Sequence, residues 1–227
     1  MNNPIKNLTT REWALWLSSL LIVSLSNVLS GDIDILTIAS ACVGVTSLIF
    51  AAIGNVWSQI LMIIFSILYA VISWQFHYWG EMITYLGMTM PMAIWSTITW
   101  MKNSSKDGKE VAIQKLATRH IARLIISGTI TTFVFYLLLC KLDTPNIIFS
   151  TISVTTSFLA AALTMLRSSY YALGYAANDI VLIVLRALAS AENSAYIAVM
   201  VNFIIFFVND MYGFVSWKKR ERSNAKF

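Results

Sequence analysis

Long runs of apolar residues follow one another along most of the chain, and short links between them hold most of the charged residues. A helix needs about 20 mostly apolar residues to cross roughly 30 Å of hydrocarbon. The runs are continuous and do not alternate at every second residue, as the strands of a membrane barrel would. The pattern therefore predicts membrane-spanning helices. The predicted spans are residues 12–29, 35–53, 57–76, 81–101, 121–140, 145–166, 169–190 and 195–217.

The composition agrees with a protein that folds in lipid. Of the 227 residues, 58% are hydrophobic and only 12% are charged, whereas a soluble domain carries about 25% charged residues. Too little polar surface remains to face water on all sides, so the lipid bilayer is the expected solvent. Within hydrocarbon every backbone N–H and C=O needs a partner. We therefore predict an all-α integral membrane fold.

The basic residues are concentrated in the link after the fourth predicted span and in the tail after the last span. Loops that stay in the cytoplasm collect Lys and Arg, so both stretches are expected there, and eight spans place the N-terminus on the same side. We predict a multi-pass protein of a bacterial cytoplasmic membrane with both termini cytoplasmic. The basic stretches hold Lys102, Lys106, Lys109, Lys115, Arg119, Lys218, Lys219, Arg220, Arg222 and Lys226; the opposite links hold Asp32, Asp34, Glu81, Asp143 and Glu192.

Two further readings of these charges are disfavoured. Lys6 and Arg11 precede the first apolar run as they would in a signal peptide, but no small-residue cleavage pattern follows. The first segment is therefore expected to be a retained helix. The basic stretches lie at span ends beside anionic lipid headgroups, so we expect no nucleic-acid partner.

The chain contains an internal repeat. Residues 45–52 read Val-Thr-Ser-Leu-Ile-Phe-Ala-Ala and residues 154–161 read Val-Thr-Thr-Ser-Phe-Leu-Ala-Ala. Each stretch is followed by two further spans, and each set of three ends in a run that closes with Trp100 or Trp217. One helix between the sets makes the repeats parallel, as in some transporters. The predicted parts are an N-terminal helix in 1–34, a core in 35–219 with repeats 35–101 and 145–217 around helix 121–140, and a basic tail in 220–227.

The polar residues inside the last two spans include two Asn-Asp pairs, namely Asn178-Asp179 and Asn209-Asp210. An Asp at the centre of a span costs about 2.5–3.5 kcal/mol, so these side chains should face the interior of the bundle. Two interpretations stay open: they bind substrate, or they clamp helices together at about 0.6 kcal/mol per hydrogen bond. Arg186 lies about 10 Å further along the same helix than Asp179. We expect its guanidinium to extend to the membrane surface, with a gate formed with an acidic residue of another helix as the alternative.

The sequence lacks the motifs of the common membrane enzymes. It contains no Gly-x-x-x-x-Gly-Lys-Ser/Thr stretch, no His-Glu-x-x-His motif and no cluster of carboxylates and His at metal-ligand spacing. Cys42 and Cys140 lie in apolar runs, where thiols usually serve packing. We therefore predict that the protein is not an enzyme and uses no cofactor and no metal.

Residues 40–219 resemble the PnuC family of vitamin transporters, which carry nicotinamide riboside. The first half of the resemblance rests on Tyr69, on Tyr78-Trp-Gly-Glu81-Met and on the run from Tyr85 through Pro91 to Trp100. The second half rests on Tyr170-Tyr171-Ala-Leu-Gly-Tyr175-Ala-Ala-Asn178-Asp179 and on Val208-Asn209-Asp210-Met-Tyr212-Gly213-Phe-Val-Ser-Trp217.

The resemblance implies a core of three, one and three helices, related in architecture to the SWEET sugar transporters, after one N-terminal helix. It also implies a homotrimer, and facilitated diffusion of the riboside into the cytoplasm for NAD synthesis. The substrate contacts that it implies are Asn178, Asn209, Tyr212, Trp95 and Tyr85; Asp179 and Asp210 complete the set of candidate site residues.

The chemistry of nicotinamide riboside suits these residues. Its flat cationic ring favours an aromatic face, and its amide and hydroxyl groups match Asn or Gln. The chain departs from the family at two positions, because relatives often have Gln where it has Ala93 and Trp where it has Arg186. These departures leave a second hypothesis, a PnuC-like transporter of another vitamin or nucleoside such as thiamine, riboflavin or a deoxynucleoside. A third hypothesis is a binding subunit that depends on a partner ATPase.

Overall fold

The computed structural model describes residues 3–29, 34–75, 79–105, 108–144, 146–191 and 196–224. Apart from one isolated bridge between Ser104 and Val111, the regular structure of these residues is helical. Seven of their helices are long and apolar enough to cross a membrane. The prediction of an all-α integral membrane fold is confirmed. Asp32, Tyr78, Lys106, Glu192 and Lys226, which the sequence predictions use, lie outside the described residues.

The helices follow the predicted spans closely. A short 3₁₀ turn, Pro4–Asn7, precedes the first of them. The helices are α1 (Thr10–Leu29), α2 (Ile35–Ala52), α3 (Trp57–Gln75), α4 (Trp79–Thr84), α5 (Met90–Lys102), α6 (Thr118–Lys141), α7 (Ile147–Met165), α8 (Tyr171–Ser190) and α9 (Tyr196–Asn224).

The fourth predicted span, residues 81–101, does not form a single α-helix. Between α4 and α5 the chain makes a π-helical turn, Tyr85–Thr89. Pro91 follows at once; proline lacks an N–H, and its ring collides with the carbonyl four residues earlier. The wider π turn accommodates this disturbance of the hydrogen-bond ladder. The three segments together still cover roughly 36 Å at about 1.5 Å per residue, enough to cross the hydrocarbon.

The packed centre of the bundle lies between α2, α3, α8 and α9, where Val45, Phe65, Leu182 and Phe206 form one buried apolar cluster. Helix α6 packs mainly against α7 and leaves large apolar side chains such as Phe133 exposed along its length. In a bilayer, such a surface is in contact with lipid. The exposed apolar face therefore agrees with a helix at the periphery of a membrane bundle.

The two basic stretches of the sequence meet at one end of the bundle, which we call the basic end; it holds residues 108–117, the turn at 166–170 and the last turns of α9. The guanidinium Nε of Arg220 lies 2.8 Å from Glu110 Oε2, and its Nη2 donates to the carbonyl of Val111 at 3.0 Å. We call the opposite end, which holds Glu81 and Asp143, the acidic end. The two stretches that the sequence identifies as basic thus lie together at one end of the bundle.

Two buried tryptophans connect distant helices at the basic end. The indole N–H of Trp100 donates to the carbonyl of Thr164 at 2.9 Å, and that of Trp217 donates to the carbonyl of Ala51 at 2.8 Å. The two ring centroids are 5.5 Å apart. These carbonyls lie in the last turns of α7 and α2, where intrahelical partners run out. Each tryptophan therefore caps a helix from the other half of the chain.

The residue before each tryptophan extends the same pattern. The hydroxyl of Thr99 donates to the carbonyl of Met165 at 3.3 Å, and that of Ser216 donates to the carbonyl of Ala52 at 3.0 Å. Both pairs thus cover the last two carbonyl groups of a helix.

After these caps the backbone turns in the same way twice, through left-handed conformations at Gly54 (φ 72°) and Arg167 (φ 54°). The link 108–117 crosses both turns. Val111 N–H donates to the carbonyl of Gly54 at 2.9 Å, and Gln114 N–H donates to the carbonyl of Arg167 at 3.0 Å. The Val111 side chain is buried in the same apolar cluster as the two tryptophans. The basic end is therefore closed by this link.

Candidate substrate-binding site

A large cavity of about 310 Å³ opens between the helix ends at the acidic end. Its walls include Tyr69, Glu81, Asp143, Asn146 and Tyr196. The cavity therefore combines aromatic rings, carboxylates and polar side chains. We call it the large cavity below.

Arg186 lies at the wall of the large cavity and is only 5% exposed. Its guanidinium forms an ion pair with Glu81, donates to the Tyr69 hydroxyl at 3.0 Å, and lies 5.7 Å from the centre of the Tyr196 ring. The expectation that Arg186 extends to the membrane surface is therefore wrong. The physical reason is that α4 brings a carboxylate beside it, and a charge with such a partner can stay buried.

A second, small cavity of about 50 Å³ lies deeper in the bundle. Asn178, Asp179 and Asp210 line it together with aromatic rings. Tyr85 and Leu182 line both cavities and therefore stand between them. The small cavity places polar groups of α8 and α9 at the centre of an otherwise apolar core.

Tyr85 occupies the first position of the π turn and packs against two rings of α3. Its ring centroid lies 4.5 Å from that of Tyr69 and 5.8 Å from that of Phe65. A π turn often marks a functional position in a helix. This predicted site residue is therefore placed at the boundary between the cavities.

The polar residues of α8 face α7 and α9. Asn178 Oδ1 accepts hydrogen bonds from the hydroxyls of Ser153 at 3.1 Å and Thr156 at 2.9 Å. The Asp179 and Asp210 side chains approach one another closely enough to interact. Asp179 Oδ2 is buried without a hydrogen-bond partner. The structure thus brings Asn178, Asp179 and Asp210 together with Tyr85, as a shared site requires.

Three other predicted site residues lie elsewhere. Asn209 donates through Nδ2 to the Ser19 hydroxyl of α1 at 2.9 Å, and the Tyr212 hydroxyl donates to Glu12 Oε1 of α1 at 3.1 Å. The Trp95 side chain is 59% exposed on the outer surface of the bundle. None of the three lines either cavity. The predicted set is therefore divided between the cavities, the α1 contact and the lipid-facing surface.

The sequence prediction left out two residues of the large cavity, Tyr69 and Glu81, both of which contact Arg186. A signal for Glu81 was present, because an Arg inside an apolar span requires an anionic partner. Glu81 begins a predicted span on the same side of the membrane as Arg186. Within the described residues, no group of three or more His, Cys, Asp or Glu is arranged to hold a metal ion.

Comparison with known proteins identifies the family of this chain. The sequence model of the family described as "Nicotinamide mononucleotide transporter" matches residues 34–219. The chain belongs to this transporter family. It is therefore a membrane transporter and not an enzyme, as the sequence predicts.

Two relatives illustrate the nicotinamide mononucleotide transporter family. The nicotinamide riboside transporter PnuC of Neisseria mucosa is 25% identical over 186 residues, which cover 79% of this chain and 70% of the relative. The crystal structure of the vitamin B3 transporter PnuC superimposes with a TM-score of 0.80 at 23% identity, covering 93% of this chain and 92% of that one. The resemblance to the PnuC family is thus confirmed, and this chain shares its fold.

Proposed function

We propose that this protein carries nicotinamide riboside across the bacterial cytoplasmic membrane by facilitated diffusion, supplying the cytoplasm with a precursor for NAD synthesis. The observation that carries the proposal is the charge of the two cavities. Their described walls hold four carboxyl groups and one guanidinium, which is that of Arg186. Because Arg186 is already paired with Glu81, the route through the bundle suits a cation.

The charge of the cavities favours the riboside over its phosphorylated form. A phosphate monoester carries about −1.5 to −2 charges at neutral pH and is usually bound by Arg or Lys. Asp143, Asp179 and Asp210 offer it no positive charge, and Arg186, the one basic side chain among the described walls, would have to leave Glu81 to bind it. Nicotinamide riboside instead presents a positive ring to these carboxyl groups.

The size and the polar groups of the large cavity also suit a nucleoside. Its volume of about 310 Å³ lies at the lower end of the range of about 300–1,000 Å³ found for small-molecule pockets. Asn146, Ser150 and Ser153 in its wall offer amide and hydroxyl groups to a ribose, and Tyr69 and Tyr85 offer aromatic faces.

A related vitamin or nucleoside is the second candidate. The observation in its favour is Arg186, which occupies the wall of the large cavity where relatives often have Trp. A guanidinium at this position changes the stacking surface that a ligand meets. Thiamine, riboflavin and deoxynucleosides are the compounds to compare.

A binding panel separates these candidates. Purified protein in detergent is titrated by isothermal calorimetry with nicotinamide riboside, nicotinamide mononucleotide, thiamine, riboflavin and deoxyadenosine. We expect the riboside to bind at least about tenfold more tightly than the other four, a difference of about 1.4 kcal/mol. Preferred binding of the mononucleotide would overturn the charge argument, and preferred binding of thiamine, riboflavin or deoxyadenosine would establish the second candidate.

We assign the substrate contacts to Asn178, Asp179, Asp210 and Tyr85, and we assign Asn209 and Tyr212 to the attachment of α1.

Replacing Asn178 by Ala should weaken riboside binding about tenfold. Asn178 lines the small cavity and accepts hydrogen bonds from two hydroxyl groups of α7. A hydrogen bond in a buried site contributes about 1 kcal/mol or more. Calorimetry of the purified variant measures this change.

Asn209→Ala is the matched control for Asn178→Ala. It removes the same amide from the neighbouring helix, where that amide contacts Ser19 instead of a cavity. We expect unchanged affinity and a lower unfolding temperature. The assignment of the two residues is refuted if the Asn209 variant loses affinity and the Asn178 variant does not.

We propose the following finer architecture. An N-terminal helix in residues 1–34 precedes a core of three, one and three helices in residues 35–219, and a basic tail follows in residues 220–227. The exchanged caps at the basic end support it, because Trp100 ends the first repeat and caps the second, while Trp217 ends the second and caps the first. In this arrangement the end of α2 corresponds to the end of α7. When the ends of α2 and α7 are aligned, the matching stretches 45–52 and 154–161 are offset by about one helical turn. Matching residues therefore still lie on the same face of their helices.

We further propose that the basic end and both termini face the cytoplasm, because Lys and Arg collect on that side of a membrane. The large cavity then opens to the outside.

We retain the homotrimer that the resemblance implies. Native mass spectrometry of the detergent-solubilised protein tests it, and a monomer or dimer would contradict it.

A further inference from the structure

The small cavity combines two acidic side chains with aromatic walls. Asp179 and Asp210 line it beside the rings of Phe65, Phe206 and Tyr175. We propose that this cavity recognises the positive charge of the substrate, and that Asp179 and Asp210 select a cationic aromatic ring over a neutral ring of the same shape. The proposal rests on the function proposed above and assigns a role to its innermost part.

The two carboxyl groups of the small cavity are poorly compensated by their surroundings. Two adjacent carboxyl groups in an apolar environment disfavour each other's negative charge. The described walls of the small cavity contain no Lys or Arg. Asp179 is 5% exposed, and its Oδ2 has no hydrogen-bond partner. A positively charged ligand would supply the missing partner.

Arg186 does not fill this role. It lies seven residues after Asp179 on α8, about 10 Å further along the helix axis, and it forms its ion pair with Glu81 in the large cavity. Its charge is therefore engaged on the other side of Tyr85 and Leu182, which separate the two cavities.

The other walls of the small cavity favour an organic cation over a metal ion. The rings of Phe65 and Phe206 lie 6.1 Å apart at an angle of 70°, and aromatic faces attract cations through their quadrupoles. Hard metal ions instead require several oxygen ligands, and within the described residues no group of three or more acidic, His or Cys side chains is arranged for a metal.

The other titratable groups among the described walls of the small cavity are tyrosines. Tyr85 of the π turn and Tyr175 of α8 line the cavity, while α2, α3 and α7 contribute the uncharged side chains of residues such as Leu48, Met62 and Ser157. The volume of about 50 Å³ is too small for a nucleoside. Tyr85, Leu182 and Ser157 line both cavities, so side chains at this boundary must move for the ring to reach the acidic pair.

The test compares nicotinamide riboside with its reduced dihydro form, which has nearly the same shape and lacks the positive charge. Affinities are measured by calorimetry for the wild-type protein and for Asp179→Asn and Asp210→Asn, which keep the side-chain volume. We expect the wild type to prefer the charged form at least about tenfold. Each variant should reduce this preference to less than about threefold, mainly through weaker binding of the charged form.

Glu221→Gln is the matched control. It makes the same carboxylate-to-amide change at the basic end of α9, about 16 Å along the axis from Asp210, where Glu221 contacts Lys218 and Ser169. Its preference should equal that of the wild type.

The outcomes separate this proposal from the proposed function. Equal wild-type affinity for the two forms, or an undiminished preference in both Asn variants, overturns the role of the acidic pair and leaves riboside transport standing. Failure of both forms to bind the wild type overturns the proposed function itself. The wild-type comparison needs no substitution, so it remains decisive even if a variant does not fold.

Discussion

Replacing Glu81 by Gln lowers the free energy of unfolding by about 3 kcal/mol. The substitution removes the carboxylate that forms an ion pair with the buried guanidinium of Arg186, and removing one partner of a buried ion pair costs about 3–5 kcal/mol. The lower end of that range applies because the Glu81 side chain is 26% exposed. Unfolding of the purified protein by denaturant in mixed micelles measures the loss.

A double variant shows whether this loss comes from the ion pair. Glu81→Gln combined with Arg186→Met removes both charges, and similar replacements of buried ion pairs are often neutral or stabilising. We therefore expect the double variant to be more stable than the Glu81→Gln variant. If instead the effects of the two single substitutions add to within about 0.5 kcal/mol, the pair does not act as a unit and our description of this site is incorrect.

Replacing Trp217 by Ala lowers the free energy of unfolding by about 4 kcal/mol, within the range of about 3–5 kcal/mol for buried aromatic residues. The side chain is fully buried, packs against Trp100 and against Tyr171 at 4.8 Å, and caps the carbonyl of Ala51. The same unfolding measurement in mixed micelles quantifies the effect.

Two companion substitutions separate the ring from its hydrogen bond. Trp217→Phe keeps an aromatic ring and removes the indole donor from the Ala51 carbonyl, which still accepts from the Gly54 N–H at 2.8 Å, so the loss should be about 0.5–1.5 kcal/mol. Trp95→Ala removes a tryptophan whose side chain is 59% exposed, and we expect a loss of less than about 1 kcal/mol. Equal losses for Trp95→Ala and Trp217→Ala would show that the exchanged caps do not hold the basic end together.

The apolar pattern of the sequence predicts most of the fold, because crossing a bilayer requires long continuous apolar runs. Helix α2 (Ile35–Ala52) agrees with the predicted span 35–53, and helix α3 (Trp57–Gln75) agrees with the predicted span 57–76. The interruption at Tyr85–Thr89 was missed because hydropathy does not register a change in helical hydrogen bonding. Pro91 was the available signal for it.

The candidate site could be predicted only in part. Polar residues inside an apolar span are expected to face the interior of the bundle. Asn178, Asp179 and Asp210 follow this rule, and the structure places them at one cavity. Asn209 is adjacent to Asp210 in sequence but is turned by about 100° around the helix, so it faces α1. Which face meets a cavity depends on the neighbouring helix, and α1 supplies Ser19 as a polar partner. A single sequence does not reveal that choice.

We expect this chain by itself to move nicotinamide riboside across a membrane. The most direct measurement is uptake of radiolabelled riboside into liposomes that contain only the purified protein, without ATP or an ion gradient. We expect the label to equilibrate across the membrane, with uptake reduced by excess unlabelled riboside and unaffected by equal concentrations of nicotinamide mononucleotide. Uptake no faster than in protein-free liposomes, or uptake that appears only with an added ATPase, would contradict this account.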